Sequence, residues 1–352
     1  FSIFIDASLL ILKEKGYLGF IIPNTILTHS SYRKIRQKIL NESIIYKIYD
    51  LGKDVFNEAT VETIVLILKK ERNGAERKKN IIQVCKINNN EQINCYNIKQ
   101  NIFESDYTNR FLLTHDLNTK KLIEKIKSKS INLGTIYHGY NGINPGNKRR
   151  EVVVNKKIDE KYKKVIDGKH IKRYSIKWGG DWVLYDKDIL ARARREEIFL
   201  EKPKIILQKI GTNLVAGLDE KQLYSLINTT ILLRTQGEYN QKYILALLNS
   251  KLLNFFYKTE FLGVQIKTEF LEVLPIHKID FTNKKEKAKH DELVKLADKI
   301  LDLNKQLQSI PEHSDKWNSV KKEIEKTDKE IDERVYELYG LGEEEIGVIK
   351  GN

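Results

Sequence analysis

Between Gly139 and Tyr185 the chain reads GYNGINPGNKRREVVV and then GKHIKRYSIKWGGDWVLY. From Asn147 to Arg173 eleven Lys or Arg face four Asp or Glu, a net of +7 and half of the chain's +14. Lysine and arginine neutralise phosphates, and Asn and Arg can pair bidentately with the edges of adenine and guanine. The chemistry on offer is therefore recognition of a polyanion. Asn144, Asn147, Lys148, Arg149 and Arg150 lie on a turn punctuated by Gly139, Gly142, Pro145 and Gly146. Lys169, His170, Lys172, Arg173 and Tyr174 precede Trp178 beside a Gly-Gly pair. Gln208, Lys209 and Thr212 end a predicted strand, KPKIILQKIG, and Arg192, Arg194 and Arg195 form a further basic run. Two readings stay open: Lys148 to Arg150 touch bases, or phosphates only; the tryptophans stack on bases, or build a small core. Trp182 sits in a strand pattern and reads as core, which leaves Trp178 the freer of the two. His170 has no carboxylate or cysteine at catalytic spacing and reads as a polar contact, not a base.

A chain of 352 residues with a pI near 9.3 is long enough for two or three domains and suits an anionic partner. Composition alone does not separate nucleic acid from a membrane surface or a ribosome. No window approaches the ~18 apolar residues of a membrane-spanning helix, and the start is no signal peptide. Cys85 and Cys95 lack a CxxC pattern and a nearby histidine pair. Neither a disulfide nor a metal site is expected, and a reducing cytoplasm fits.

The elements that position these residues fall into three regions. Residues 1–112 alternate helix and strand, the grammar of a wound α/β sheet. Phe1, Phe4, Ile5, Ser8, Leu9 and Leu12 share one side of a first helix. YLGFIIPN has the apolar run of a strand buried on both faces of a parallel sheet, Ser30 can cap a second helix, and IIYKIYDLG, VETIVLILKK and IIQVCKI continue as strands. No glycine-rich cofactor loop follows any of them. Because Phe1 falls inside a helical pattern, the chain is expected to continue a longer protein. Residues 113–280 are expected to form an α+β region, with a tight turn at 139–146 that opens no helix, one helix through YILALLNSKLLNFFYK and a last strand through FLEVLPIHKI. Residues 281–352 place Leu293, Leu296, Ile300, Leu303, Leu307 and Ile310, then Trp317, Val320, Ile324, Ile331, Val335 and Leu338, at seam spacing on either side of Pro311. This predicts an antiparallel helical hairpin, either a docking spacer or a brace.

FSIFIDASLLILKEKGYLGFIIPNTIL and DVFNEATVETIVLILKK resemble the second half of the catalytic domain of TaqI/Eco57I-type N6-adenine DNA methyltransferases of type II restriction–modification systems. NKRREVV, GKHIKRY, WGGDWVLY, KPKIILQ, YILALLNSKLLNFFY and LPI resemble their TaqI-like C-terminal specificity, or target recognition, domain. The resemblance implies the second half of a Rossmann-like sheet, a recognition domain and a C-terminal hairpin. It implies sequence-specific binding of double-stranded DNA as part of a parent adenine methyltransferase that uses S-adenosyl-L-methionine. Phe56 in DVFNEATV matches the phenylalanine that stacks on the extruded base, although a plain hydrophobe at a strand entrance would look the same. Phe4 matches a position near the cofactor adenine, or belongs to the core. The catalytic Asn-Pro-Pro-Tyr motif is absent, so no catalytic residue is assigned and this chain alone is expected to be inactive and not to bind the cofactor. The implied partners are the upstream methyltransferase half and an endonuclease domain or subunit if one exists elsewhere, which alone would bring magnesium. The alternative is a non-catalytic specificity subunit like those of type I systems, which share the recognition architecture.

Overall fold

The computed structural model describes residues 1–52, 62–87, 93–105, 109–113, 117–261 and 265–351. They form two compact units, Phe1–Lys120 with Thr259–Leu262, and Lys121–Lys258 with Gly263–Asn352.

The first unit is built on five strands: β1 (Tyr17–Pro23), β2 (Ser43–Gly52), β3 (Thr63–Lys70), β4 (Ile81–Ile87) and β5 (Ile93–Lys99). Their order is β1-β3-β2-β4-β5. Only β2 and β4 are parallel neighbours; the other pairs are antiparallel. The expectation for β1 is thereby corrected. It lies at the sheet edge, with Ile22 in the core and Leu18 and Phe20 packed against it, while Tyr17 and Ile21 are exposed. An apolar run has no alternation to show that only one face is covered.

Helix Ser2–Ile11 buries Ile5 and Leu9, but Phe4 is 70% exposed and is not core. Helix Arg33–Glu42 is preceded by a turn in which the His29 Nδ1, rather than Ser30, accepts a backbone hydrogen bond, from Ser31 N at 3.2 Å. Its Arg36 is fully buried and donates to the carbonyls of Ile26, His29 and Asn109, each at 2.8 Å. A buried guanidinium satisfied by carbonyls joins three segments at once. Cys85 and Cys95 stand opposite each other on β4 and β5 and form a disulfide, contrary to the sequence expectation. Their ten-residue separation is that of partners on a hairpin, and pairing register is what a CxxC search does not see.

The second unit contains two four-stranded sheets. One, antiparallel throughout, has the order Ala216–Asp219, Lys204–Gln208, Thr229–Arg234, Tyr137–Asn141. The other has the order Tyr224–Ser225, Tyr162–Ile166, Trp182–Leu184, Val153–Val154. Ile143, Val165, Val183, Ile206, Phe199 and Ile231 contribute to one core. Inside it Lys204 and Asp219 oppose each other in register and pair at 2.5 Å with both side chains buried. The Lys204 Nζ also donates to the Phe199 and Glu201 carbonyls, so the buried charges are hydrogen-bonded as well as paired. Ser130–Asn132 pairs with Pro275–His277, so the chain enters and leaves this region side by side.

Three expectations change in this unit. YILALLNSKLLNFFYK forms two helices, Gln241–Asn249 and Lys251–Glu260, broken at Ser250, whose hydroxyl turns back onto the Leu247 carbonyl at 2.7 Å. FLE belongs to helix Thr268–Glu272, which leaves only Pro275–His277 as the closing strand. The third concerns the turn at 139–146, taken up with the interface.

Helices Lys284–Gln308 and Asp315–Tyr339 run antiparallel, since Glu292 pairs with Arg334 and Lys299 with Glu323. Their seam is buried at Leu293, Ile300, Ile331 and Val335 and opens to half-burial towards Leu307 and Ile324. Asn283 and Ser314 cap the two starts, and Gly340 ends the second helix in the left-handed region at φ 64°. Among the described residues no helix is long and apolar enough to cross a membrane.

Candidate nucleic-acid interface

The segment Asn141–Asn144 organises the basic surface. Gly142 lies so close to the next loop that a Cβ there would stand 2.2 Å from the Leu226 carbonyl oxygen and 2.4 Å from that of Ser225. Only glycine permits that approach. Ile143 N then donates to Ser225 O at 2.8 Å, and Asn144 exchanges backbone hydrogen bonds with Arg192 at 2.9 and 3.0 Å. The Asn144 side chain is committed to its own turn, accepting from Gly146 N at 3.0 Å. Contrary to expectation, a helical stretch does open here, with Gly146–Lys148 and Arg149–Val152 each making a short turn. Val152 is buried in the core, and anchoring it winds the preceding basic residues into a turn that faces solvent.

Asn147, Lys148, Arg149 and Arg150 are exposed. Arg149 pairs with Asp167 at 2.6 Å. Burial pushes the Asp167 carboxyl up, but Arg149 and the Gly168 N–H outweigh it and hold it below its ordinary value. The loop beyond Asp167 presents Lys169 to solvent and folds His170 back, its Nδ1 accepting from Asp167 N at 3.0 Å. Burial and then Lys169 keep the imidazole below its ordinary value, so at neutral pH it accepts that hydrogen bond as a neutral ring. Gly179 packs on it; a Cβ there would lie 2.4 Å from Nε2. Lys172 and Thr212 are also exposed. Lys148, Arg150, Lys164, Lys169 and Lys172 make no ion pair among the described residues. Cations left unpaired are what a phosphate backbone requires.

Other candidates are turned to structural use. Tyr174 is buried at the tip of the ribbon Ile171–Lys172/Ser175–Ile176, with φ 57° and its N–H on the Ala216 carbonyl. Arg173 donates to both Asp328 oxygens and to the Asn249 carbonyl. Burial opposes its charge, but Asp328 helps to keep it firmly protonated. Neither side chain is available to DNA as it stands. In both cases a basic-aromatic string concealed a residue pointing inward. Gln208 Nε2 donates to the Ile171 carbonyl at 2.7 Å, and Lys209 Nζ to Asn141 Oδ1 at 2.8 Å. Trp178 and Trp182 are both half-buried and meet edge to face with centroids 5.4 Å apart. Trp178 Nε1 is bound to the Asp181 carbonyl at 2.7 Å, so it is not the free indole expected, and Trp182 is less enclosed than expected.

Lys164 is a functional candidate that sequence reasoning did not select, and Arg192 and Arg194 stand in the further basic run that the sequence displays. Lys164 lies 4.8 Å over the Trp178 ring and opposite Trp182 across the sheet; its strand alternation could have placed it on that open face. Phe56 lies outside the described residues. Among the described residues no cluster of His, Cys, Asp and Glu could hold a metal.

Residues 1–56 match the family model described as Eco57I restriction-modification methylase, and residues 163–276 match that of the TaqI-like C-terminal specificity domain. Over 71 residues the chain is 38% identical to "Putative type II restriction enzyme and methyltransferase RM.MjaORFECS2P" of Methanocaldococcus jannaschii, covering 20% of this chain and 6% of that protein. Over 72 residues it is 35% identical to "Type II restriction enzyme and methyltransferase RM.Eco57I" of Escherichia coli, covering 20% and 7%. The matched part is thus a small fraction of either relative. The fold resembles that in "Structure of Type IIL restriction-modification enzyme MmeI in complex with DNA has implications for engineering of new specificities", with TM-score 0.55, 10% identity, 97% of this chain and 49% of that one. Two family matches in chain order, a methylase segment and then a specificity segment, relate this chain to the type II restriction enzymes and methyltransferases.

Proposed function

We propose that this chain recognises a specific sequence in double-stranded DNA as the C-terminal part of a site-specific adenine-N6 methyltransferase of a restriction–modification system. The observation that carries the reading is that the unpaired cations on the loops of the second unit lie in and beside the specificity-domain match. Asn147, Lys148, Arg149, Arg150, Lys169, Lys172 and Thr212 are the residues offered to DNA. Residues 113–280 act as the recognition domain, and the hairpin of 281–352 braces it.

The five-stranded sheet is read as the second half of a Rossmann-like methyltransferase sheet. In support, β1, β2 and β4 run in one direction, and the outer edge of β1 has no partner among the described residues. On the first helix Ile3, Phe4, Leu10 and Ile11 are 70–85% exposed. An apolar surface of this kind calls for a covering element, and the first methyltransferase half would supply it. The sequence contains no Pro-Pro pair and hence no Asn-Pro-Pro-Tyr loop. Methyl transfer from S-adenosyl-L-methionine to the adenine amino group is chemistry that the covering half would bring. Among the described residues only Phe4 corresponds to a cofactor position, and its exposure gives it no site here.

The test uses residues 1–352. Duplex binding that weakens steeply with salt and no methyl transfer from labelled cofactor are expected. Transfer by this chain alone, or no duplex binding at low salt, would overturn the reading. A non-catalytic specificity protein, the second reading, needs no methylase-like sheet, and the match over residues 1–56 disfavours it. For Phe56, the measurement is 2-aminopurine fluorescence with the complete enzyme, where Phe56→Ala is expected to weaken the flipping signal.

A further inference from the structure

Two cations from separate loops reach the Asn141–Asn144 segment with their side chains, and a third, Arg192, is tied to it through its backbone with its side chain exposed. Lys209 Nζ donates to Asn141 Oδ1 at 2.8 Å, and Arg194 Nε makes a long 3.4 Å contact to the Gly142 carbonyl. Arg192 is held by its two backbone hydrogen bonds to Asn144. Arg194 also adopts φ 72°, and its carbonyl accepts from the Tyr185 hydroxyl at 2.7 Å. A left-handed arginine is strained and persists only where its surroundings enforce it. Lys209 is fixed further by backbone hydrogen bonds with Asn228 and Ile266.

No carboxylate pairs with any of the three among the described residues. Burial holds the Lys209 ammonium below its ordinary value and Arg194 pushes the same way; burial and then Arg192 do the same to Arg194. Folding therefore brings like charges together in a partly desolvated place without internal compensation, which an oxyanion would supply. The place adjoins the exposed basic turn, since Gly146 packs against Ala191, the neighbour of Arg192.

We propose that Arg192, Arg194 and Lys209 form a preorganised site for one phosphate group, filled in function by a backbone phosphodiester of duplex DNA. The two arginines offer planar forks of donors and the lysine a point charge, the combination suited to phosphate oxygens. The source of the phosphate rests on the DNA reading above; the anion site does not.

Two measurements on the full chain test it: the melting temperature in inorganic phosphate against chloride of equal ionic strength, and binding of a 30-base-pair duplex over a salt series. The triple variant Arg192→Gln/Arg194→Gln/Lys209→Gln is expected to flatten the slope of log affinity against log salt by about 0.9, the change for one phosphate contact, and each single variant by up to that amount. Each is also expected to reduce the phosphate-induced rise in melting temperature. Arg192→Gln guards against misfolding, because this residue is exposed and its backbone makes the structural bonds; it is expected to melt no lower than the parent in chloride. A lowered duplex slope together with a weakened phosphate response supports the site with the DNA backbone as its source; a lowered slope in a chain whose parent shows no response to inorganic phosphate overturns the preorganised anion site while leaving a DNA contact. If the parent binds no duplex but responds to phosphate, and the variants lose that response, the anion site stands and the DNA reading fails. Unchanged slopes and unchanged phosphate responses in folded variants overturn the proposal while leaving DNA recognition intact.

Discussion

Arg173 Nη2 lies 2.5 and 2.6 Å from the two carboxylate oxygens of Asp328, joining the basic segment to the second hairpin helix. A cation in the most basic stretch of the chain thus serves as a tie within the fold. The neighbouring link, Lys251 to Asp332 at 3.2 Å, fastens the same helix to helix Lys251–Glu260.

Arg173→Ala is therefore expected to lower stability while leaving the salt dependence of DNA binding unchanged. Losing a half-buried, hydrogen-bonded pair costs about 1–2 kcal/mol after allowance for solvent screening. Chemical denaturation measures the first, and a double-mutant cycle with Asp328→Ala should return a coupling of about 1 kcal/mol. A flattened salt slope in Arg173→Ala would reassign the residue to the DNA contact.

Lys148 and Arg150 are the converse case. Both are exposed and make no ion pair among the described residues, so alanine at either should shift stability by less than about 0.5 kcal/mol. The double variant should flatten the salt slope of duplex binding by about 1.8. Fluorescence anisotropy from low to moderate salt reads this directly, and identical curves for parent and variant would take the turn out of the interface.

Gly142→Ala tests the organising loop. A Cβ 2.2 Å from one carbonyl oxygen and 2.4 Å from another meets backbone that cannot swing aside. The expected cost is about 2–4 kcal/mol, in the range of overpacking and broken backbone bonding. DNA affinity should fall with it, because Lys209, Arg194 and Arg192 are all held by this segment. Gly180→Ala serves as a control for space: no atom lies within 4 Å of a Cβ there, so any cost comes from φ 97° alone.

His277 predicts a pH dependence. Burial is the main cause that depresses its imidazole from the ordinary 6.5 to about 4. Below pH 6.5 the unfolded chain binds a proton that the native ring takes up only near pH 4. Stability is therefore fully present above 6.5 and lost as pH falls towards 4, by about 1–2 kcal/mol once partial exposure is allowed for. His277→Gln should flatten stability over this window in thermal melts at pH 7, 5.5 and 4.5. A variant as steep as the parent would assign the loss to other groups.

Much of the architecture is local and could be read along the chain. The hairpin follows from seam spacing on either side of Pro311, and the strands VETIVLILKK and KPKIILQKIG follow from apolar runs bounded by turns. The density of cations between Asn147 and Arg173 is a property of composition, and it pointed to a polyanion without any coordinates. Family motifs are equally linear, and the matches over 1–56 and 163–276 fall where those motifs lie.

Which cation faces solvent was decided only by the tertiary structure. Lys172, Arg173 and Tyr174 are consecutive in a basic-aromatic string, yet one is exposed, one is tied to Asp328 and one is buried. Their fates depend on a two-residue ribbon and on a helix some 150 residues later, and charge patterning records neither. The same holds for Cys85 and Cys95, which strand register sets opposite each other, and for β1, whose place at the edge depends on β3 entering beside it. Arg192, Arg194 and Lys209 are the plainest case. Sequence displays them as a basic run and a strand end, and only close packing at Gly142 brings them to one place. Local propensity and composition act over a few residues, whereas a binding site is set by where distant backbones are able to touch.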